Sequence, residues 1–260
     1  IPWRKLWAAL GGKKIPGKKT ASTIILILNP HNTYFIILAA SVTGPLLLSF
    51  DKKVTFYKKW KSLIPALIIP AVLYIIWDII FTHLNIWHFN EKYISGLKII
   101  NLPIEEVLFF FVVPYCCVFV YECIRCYFPK INGSNNWKIF LKTMAVILII
   151  TSLFFYNKSY SFFSFLFCGI ALWLATSLSH WKQYLHTKAF CISYLIILLP
   201  FMAVNGMLTY LPVVEYNQAE IIGIKIYTIP IEDIFYGMLL VLLNILLFEK
   251  FRNKNWLPKY

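Results

Sequence analysis

Acidic side chains are scarce in this chain of 260 residues: eleven Asp and Glu stand against 25 Lys and Arg. Its three aspartates, Asp51, Asp78 and Asp233, lie far apart, which excludes the paired aspartate-rich motifs that hold a diphosphate through Mg²⁺. Ten glycines form neither G-x-G-x-x-G nor G-x-x-x-x-G-K-[ST], so the dinucleotide and P-loop fingerprints are absent. The five histidines, at 31, 83, 88, 180 and 186, include no i, i+4 pair, and no metal site is expected. Six cysteines fall in or beside apolar stretches; one C-x-x-C, Cys123 and Cys126, is weak ground for redox or metal work, and all six are read as reduced thiols. The last apolar stretch, IEDIFYGMLLVLLNILLFE, has no lysine for a Schiff base, which argues against a retinal pump. Period-2 alternation is missing, which argues against a β-barrel.

Apolar residues dominate what remains. Hydrophobic residues make up 60% of the chain and aromatics 18%, with a mean hydropathy of +0.69, more than a water-facing surface tolerates. Seven stretches are long enough to cross a bilayer at ~20 residues each: 24–49, 62–81, 103–124, 138–156, 160–179, 189–210 and 230–249. The reading is an all-α integral membrane protein. The net charge of +14 sits in tails and between apolar stretches, as loop charge does, so no nucleic-acid partner is expected. With the start of the first stretch outside, fifteen Lys and Arg fall on the inner side and four outside, the asymmetry of the positive-inside rule. Residues 1–22 carry six further basic residues and are set apart as a basic tail.

The chain repeats itself at an offset of 127 residues. Residues 77–122 align without a gap on 204–249, with eleven identities in 46 positions. The shared pattern, N-x3-I-x-G-x-K-I-x3-P-I-E-[ED], covers 90–106 and 217–233; Asp78 pairs with Asn205, and Glu122 with Glu249. Stretches one to three map onto five to seven, and the fourth becomes a linker. An odd number of crossings plus one linking span makes the two three-helix repeats parallel, related by an axis along the membrane normal. The expected organisation is a tail at 1–22, a first repeat at 23–124, a linker at 125–159 with one span, a second repeat at 160–250 and a basic tail at 251–260.

Each repeat opens its third helix with two acids after a proline: Glu105 and Glu106, then Glu232 and Asp233. Proline suits the first turn of a helix, and acids there are stabilised by the macrodipole by ~0.3–1 kcal/mol each, which alone would account for one copy. Two parallel copies, however, bring four of the eleven acids to one depth in the membrane, where ionisable groups are expensive. Burial and a like neighbour favour a protonated carboxyl, a helix N-terminus the ionised form, so the four are expected to divide into acids and bases. Phe109 and its counterpart Tyr236, three and four residues beyond the carboxyls, share their helix face, with Phe110 extending it, and can face a cation. Trp77, Asp78 and Asn205 precede the loops that lead to these motifs and are candidate members of the same site. Glu122 and Glu249 lie ~25 Å further along their helices, beside Arg125, Lys250 and Arg252, and are expected to form ion pairs at the opposite interface.

The duplicated motifs LPIEEVLFF and IPIEDIFY, with the blocks SFDKKVTFYKKWK and WDIIFTHLNIWHFNEKYISG, resemble the lycopene cyclase domain of the small membrane type, in its fused two-repeat form. The resemblance covers residues 34–249. It implies a flavin-free cyclase, without cofactor or metal, that turns the linear ψ ends of lycopene into β rings with no net redox change. It also implies lycopene and γ-carotene as substrates, the bacterial cytoplasmic membrane as location, and a site composed between halves that some relatives carry as separate chains. Glu105, Glu106, Glu232 and Asp233 take the family's acidic positions, with Phe109, Phe110, Tyr236, Trp77, Asp78 and Asn205 as substrate-binding candidates. The second motif departs from the pattern by ending in Asp. Self-association stays open, as do two alternatives. One is a different carotenoid end-group reaction, hydration or ε-ring formation, which shares the acid step. The other is a proton-coupled transporter, which would want matching Gly or Pro breaks in both repeats, whereas Pro114 aligns with Val241.

Overall fold

A computed structural model describes residues 30–129, 131 and 135–253. The expected tail 1–22, the start of the first apolar stretch and residues 254–260 lie outside the described residues. Seven helices long and apolar enough to cross a membrane are present: α1 (Thr33–Leu48), α2 (Trp60–His83), α3 (Ile104–Tyr127), α4 (Asn135–Phe154), α5 (Ser159–Ser177), α6 (Thr187–Tyr210) and α7 (Glu232–Asn253). Their outward faces are apolar; Ile68, Leu73 and Ile76 of α2 are each about half exposed, a surface suited to lipid rather than water. The protein is an all-α integral membrane protein.

The repeat governs the packing. Helix α2 and helix α6 begin and end 127 residues apart. Helix α3 packs against α1 of its own repeat and α6 of the other; α7 packs against α5 and, across the repeats, α2. Each half therefore completes the other's core. The linker α4 lies against α5, so closely at Gly169 that an added Cβ would come within 2.8 Å of the Ile149 side chain and 2.9 Å of the Ala145 carbonyl. A small residue is needed there for helices to meet.

The segments between the second and third helices hold short strands that hydropathy does not reveal. β1 (Trp87–Phe89) pairs antiparallel with β4 (Val214–Tyr216), joining the repeats. The central partners of that ribbon are His88 and Glu215, which are repeat equivalents, so the pseudo-two-fold axis passes between them. Two hairpins follow, β2 (Lys98–Ile99) with β3 (Leu102–Pro103), and β5 (Lys225–Ile226) with β6 (Ile229–Pro230). Ile100 and Tyr227 open their two-residue loops at φ 62° and 60°, a conformation that glycine usually supplies. Gly96 and Gly223 turn the chain into the hairpins at φ 84° and 90°. Each hairpin then caps a helix, with the N–H of Ile104 donating to the Leu97 carbonyl at 2.9 Å and that of Ile231 to Ile224 at 3.0 Å, satisfying donors that a helix start leaves over.

At the other end of the bundle, Glu122 and Glu249 are buried and are paired both within each repeat and across the repeats. Arg125 bonds Glu249, and Arg252 bonds Glu122 at 2.8 Å and Glu249 at 2.6 Å. Lys59 bonds Glu122, and its repeat equivalent His186 lies 3.9 Å from Glu249. Lys250 takes no part; its Nζ lies 4.5 Å from the centre of the Trp181 ring.

Candidate active site

The acidic ends of α3 and α7 meet across the pseudo-axis, and the two carboxyls of each motif part company. The first of each pair serves its own hairpin. Glu105 Oε1 accepts from the Ser95 N–H at 2.7 Å, and Glu232 Oε1 accepts from the Ile222 N–H at 2.7 Å and from the Ser161 hydroxyl at 2.5 Å. The second of each pair, Glu106 and Asp233, turns about 100° further round the helix into a cavity of about 260 Å³ between the repeats.

Asp78 on α2 joins them in that cavity, and here the repeats differ in chemistry. Asp78 and Glu106 lie beside one another in the cavity, and two buried carboxyls so placed disfavour ionising together. Tyr34 of α1 donates to Glu106 Oε2 at 2.5 Å, and Tyr236 of α7 donates to Asp78 Oδ1 at 2.5 Å. At the equivalent place in the second repeat, Asn205 offers an amide: its Nδ2 donates to Asp233 Oδ2 at 2.6 Å. Asp233 also accepts from Tyr160 at 2.5 Å and from Tyr216 at 2.9 Å. Burial and the Asp233 charge hold the Tyr216 phenol well above its ordinary pKa, so it stays a donor. Asp233 thus accepts three hydrogen bonds among the described residues, surroundings that favour an ionised carboxyl.

Of the residues singled out from sequence, Glu106, Asp233, Asp78, Asn205, Phe109 and Tyr236 line the cavity, whereas Glu105, Glu232, Phe110 and Trp77 do not. Phe110 is fully buried against Tyr74, with ring centres 5.4 Å apart, and Trp77 packs edge-on to Tyr236 at 5.2 Å. The cavity also takes in Tyr34, Trp87, Tyr160 and Tyr216, none of which sequence reasoning had marked. Comparison of the repeats could not find the tyrosines, because the equivalent of Tyr34 is Ser161, that of Tyr160 is Thr33 and that of Tyr216 is Phe89. A tyrosine or tryptophan at a membrane-span end was the available signal, and it is common at interfaces for other reasons. The wall is aromatic and apolar: Trp87, Phe109 and Tyr236 face the carboxyl end.

Searches of curated proteins and of solved structures gave no match. A family model described as lycopene cyclase matches residues 31–124 and again 157–251, the two repeats with the linker helix left out. With both copies matched over most of its length, the chain belongs to the lycopene cyclase family.

Proposed function

We propose that the protein is a lycopene β-cyclase in which the Asp78–Glu106 pair delivers the proton and Asp233 removes one. The observation that carries the assignment is the broken symmetry at one pair of equivalent positions: an acid, Asp78, beside Glu106, and an amide, Asn205, beside Asp233. Two buried carboxyls side by side favour keeping one proton between them, and that proton is there to give. A carboxylate ringed by three donors has a lone pair to take one. Acid and base then come from different repeats and face one substrate end group, as general acid–base catalysis requires.

In the reaction, a proton from the Asp78–Glu106 pair adds to C2 of the terminal C1–C2 double bond and leaves a tertiary cation at C1. The π electrons of the C5–C6 double bond form the C6–C1 bond and move the charge to C5. Asp233 takes the proton from C6, and those electrons make the ring double bond between C5 and C6. One proton enters and one leaves, so there is no net oxidation and the enzyme is an intramolecular lyase or isomerase. Reset returns the proton from Asp233 to the pair; Tyr216, bonded to Asp233 and close to Glu106 and Asp78, is placed to pass it. The faces of Phe109, Trp87 and Tyr236 attract the developing cation by ~0.5–2 kcal/mol each. An apolar wall also keeps out the water that would quench the cation to an alcohol. Glu105 and Glu232 hold the hairpins that set the depth of Glu106 and Asp233. No flavin or metal is assigned a role, the substrates are lycopene and γ-carotene, and the bacterial cytoplasmic membrane is the proposed location.

The test is the pigment profile of a lycopene-accumulating bacterial host. The unmodified chain should yield β-carotene or γ-carotene, with Glu106→Gln and Asp233→Asn leaving lycopene unconverted. An ε ring or a hydroxylated end from the unmodified chain would move the reading to another end-group reaction, and unconverted lycopene from verified, membrane-inserted protein would sink it.

A further inference from the structure

The cavity is much longer than the carboxyl cluster at its end. Along α3 its lining runs from Glu106 to Val120, about 21 Å of helix. Past the carboxyls the wall is almost wholly apolar, formed by Ser41 and Pro45 of α1, Cys116 and Val120 of α3, and Ile197 and Pro200 of α6. It reaches the outside of the bundle sideways, between α1 and α6: Ser41 and Pro45 are half-buried and Pro200 is exposed on the lipid-facing surface.

The pseudo-two-fold axis demands a second such passage between α5 and α2, and aromatic side chains fill it. Where the open side has Gly237, the closed side has Phe110; where it has Val204, the closed side has Trp77; and Ala40 is matched by Phe167. Trp77 and Phe167 meet with ring centres 5.2 Å apart, and Tyr74 closes behind them against Phe110 at 5.4 Å and Tyr236 at 4.8 Å. Prolines add to the difference on the open side. Pro45, Pro114 and Pro200, each inside a helix, all line the open passage, and their equivalents are Leu172, Val241 and Leu73. Proline removes a helix hydrogen bond and bends the helix, which helps spread α1, α3 and α6 along the open passage; α2 of the closed side also carries Pro65 and Pro70, and there the aromatic side chains fill the space.

We infer that this single α1–α6 passage is the lateral route by which one end of a linear carotenoid slides from the bilayer to the carboxyls, its polyene remaining in the passage while the end group reacts. The occupant follows from the wall: long, narrow, apolar apart from a few hydroxyls such as that of Ser41, and continuous with the acid–base site, it fits an extended hydrocarbon better than a polar molecule. The inference rests on the cyclase reading and adds to it which of two equivalent helix interfaces admits the substrate. Because the described residues form one such passage and one set of Asp78, Glu106 and Asp233, each binding event treats one end.

Blocking the passage far from the carboxyls tests it. Purified protein in lipid vesicles is supplied with lycopene, and conversion is compared for the unmodified chain, Ser41→Phe and Cys116→Phe, with Phe167→Ala at the closed interface as control. A misplaced substrate costs about 100-fold, so kcat/KM should fall by about that factor in both passage variants and stay unchanged in Phe167→Ala. Two walls are probed so that a variant that fails to insert, as judged by its melting curve, leaves the other to decide. Full conversion by a correctly folded passage variant overturns the passage while leaving the cyclase reading intact. A loss in Phe167→Ala equal to that in the passage variants also overturns it. No conversion by the unmodified chain overturns both.

Discussion

Arg252, near the end of the second repeat, donates through Nη1 to Oε1 of Glu122, near the end of the first, over 2.8 Å, and Arg125 returns the bond to Glu249. The carboxylates are 2% and 0% exposed, whereas the two arginines are about a quarter exposed. Removing Arg252 leaves Glu122 with Lys59 and Glu249 with Arg125, so it costs part of the about 3–5 kcal/mol of a buried charge left with no partner. Arg252→Gln should lower the melting temperature of the detergent-solubilised protein. The double variant Arg252→Gln/Glu122→Gln should recover part of the loss. A melting curve that does not move would show that the crossed pairs do not hold the repeats together.

His186 gives the same cluster a pH dependence. Burial, and then the nearby Arg125, hold its imidazole below the ordinary value of 6.5. As pH falls through 6.5 the unfolded chain binds a proton there that the folded chain still refuses, so stability present above that pH is lost as the pH drops towards the folded value. The groups facing the ring are Arg125, Arg252, Glu122 and Glu249. Melting temperatures should fall on acidification from pH 7 and flatten in His186→Gln; parallel curves for the two proteins would refute the assignment.

The two acids of each motif should respond differently to isosteric change. Glu106 and Asp233 are assigned direct proton transfer, worth typically 10²–10⁴-fold, and Glu106→Gln or Asp233→Asn should cost that much in kcat. Glu105 and Glu232 each use one oxygen to accept hairpin N–H groups, and a glutamine carbonyl still accepts. Glu105→Gln should thus keep its conversion within about tenfold, a loss of ~1.4 kcal/mol. Equal loss at Glu105 and Glu106, measured as product per unit of folded protein, would place the chemistry on both.

Much of this was legible in the sequence because it repeats. Helix α6 follows α2 at a fixed offset, and hydropathy places the spans to within a few residues, since a bilayer sets their length. The acidic motifs stood out for being rare and doubled. What stayed hidden depends on direction rather than composition. Glu105 and Glu106 look alike in the chain, and only the hairpin N–H of Ser95 distinguishes them. Phe110 adjoins Phe109 in sequence yet faces the filled interface, because neighbours on a helix point about 100° apart. The inter-repeat ribbon is three residues per strand, too short for any periodicity to register.

The exchange of Asp78 for Asn205 between repeats predicts an asymmetric pair of phenotypes. Asp78→Asn gives Glu106 an amide partner like that of Asp233 and removes the shared proton, so kcat should fall by about 10²-fold or more. Asn205→Asp puts a second carboxyl beside Asp233, where two buried like charges cannot both persist, and the base should be lost to a similar degree. The reversal carrying both changes would move acid and base to opposite repeats without changing composition. Partial recovery in that double variant, read as cyclised product, would support the assignment; activity unaffected by Asp78→Asn would remove Asp78 from the chemistry.

A lone reaction site also fixes the order of products. Lycopene has two ψ ends, and on the proposed reading the described residues form one set of carboxyls at the end of one passage, so the second end would reach Glu106 and Asp233 only after the first has withdrawn and the molecule has turned round in the bilayer. γ-Carotene should therefore rise before β-carotene in a time course. Isotopically labelled lycopene chased with an excess of unlabelled lycopene should leave label stranded in γ-carotene, because the half-cyclised molecule returns to a pool in which unlabelled ends outnumber it. Were the pseudo-symmetric interface to act as a second site, label would pass directly into β-carotene and the chase would not dilute it. The distinction is kinetic and independent of any substitution, so it separates one passage from two even if every variant folds poorly.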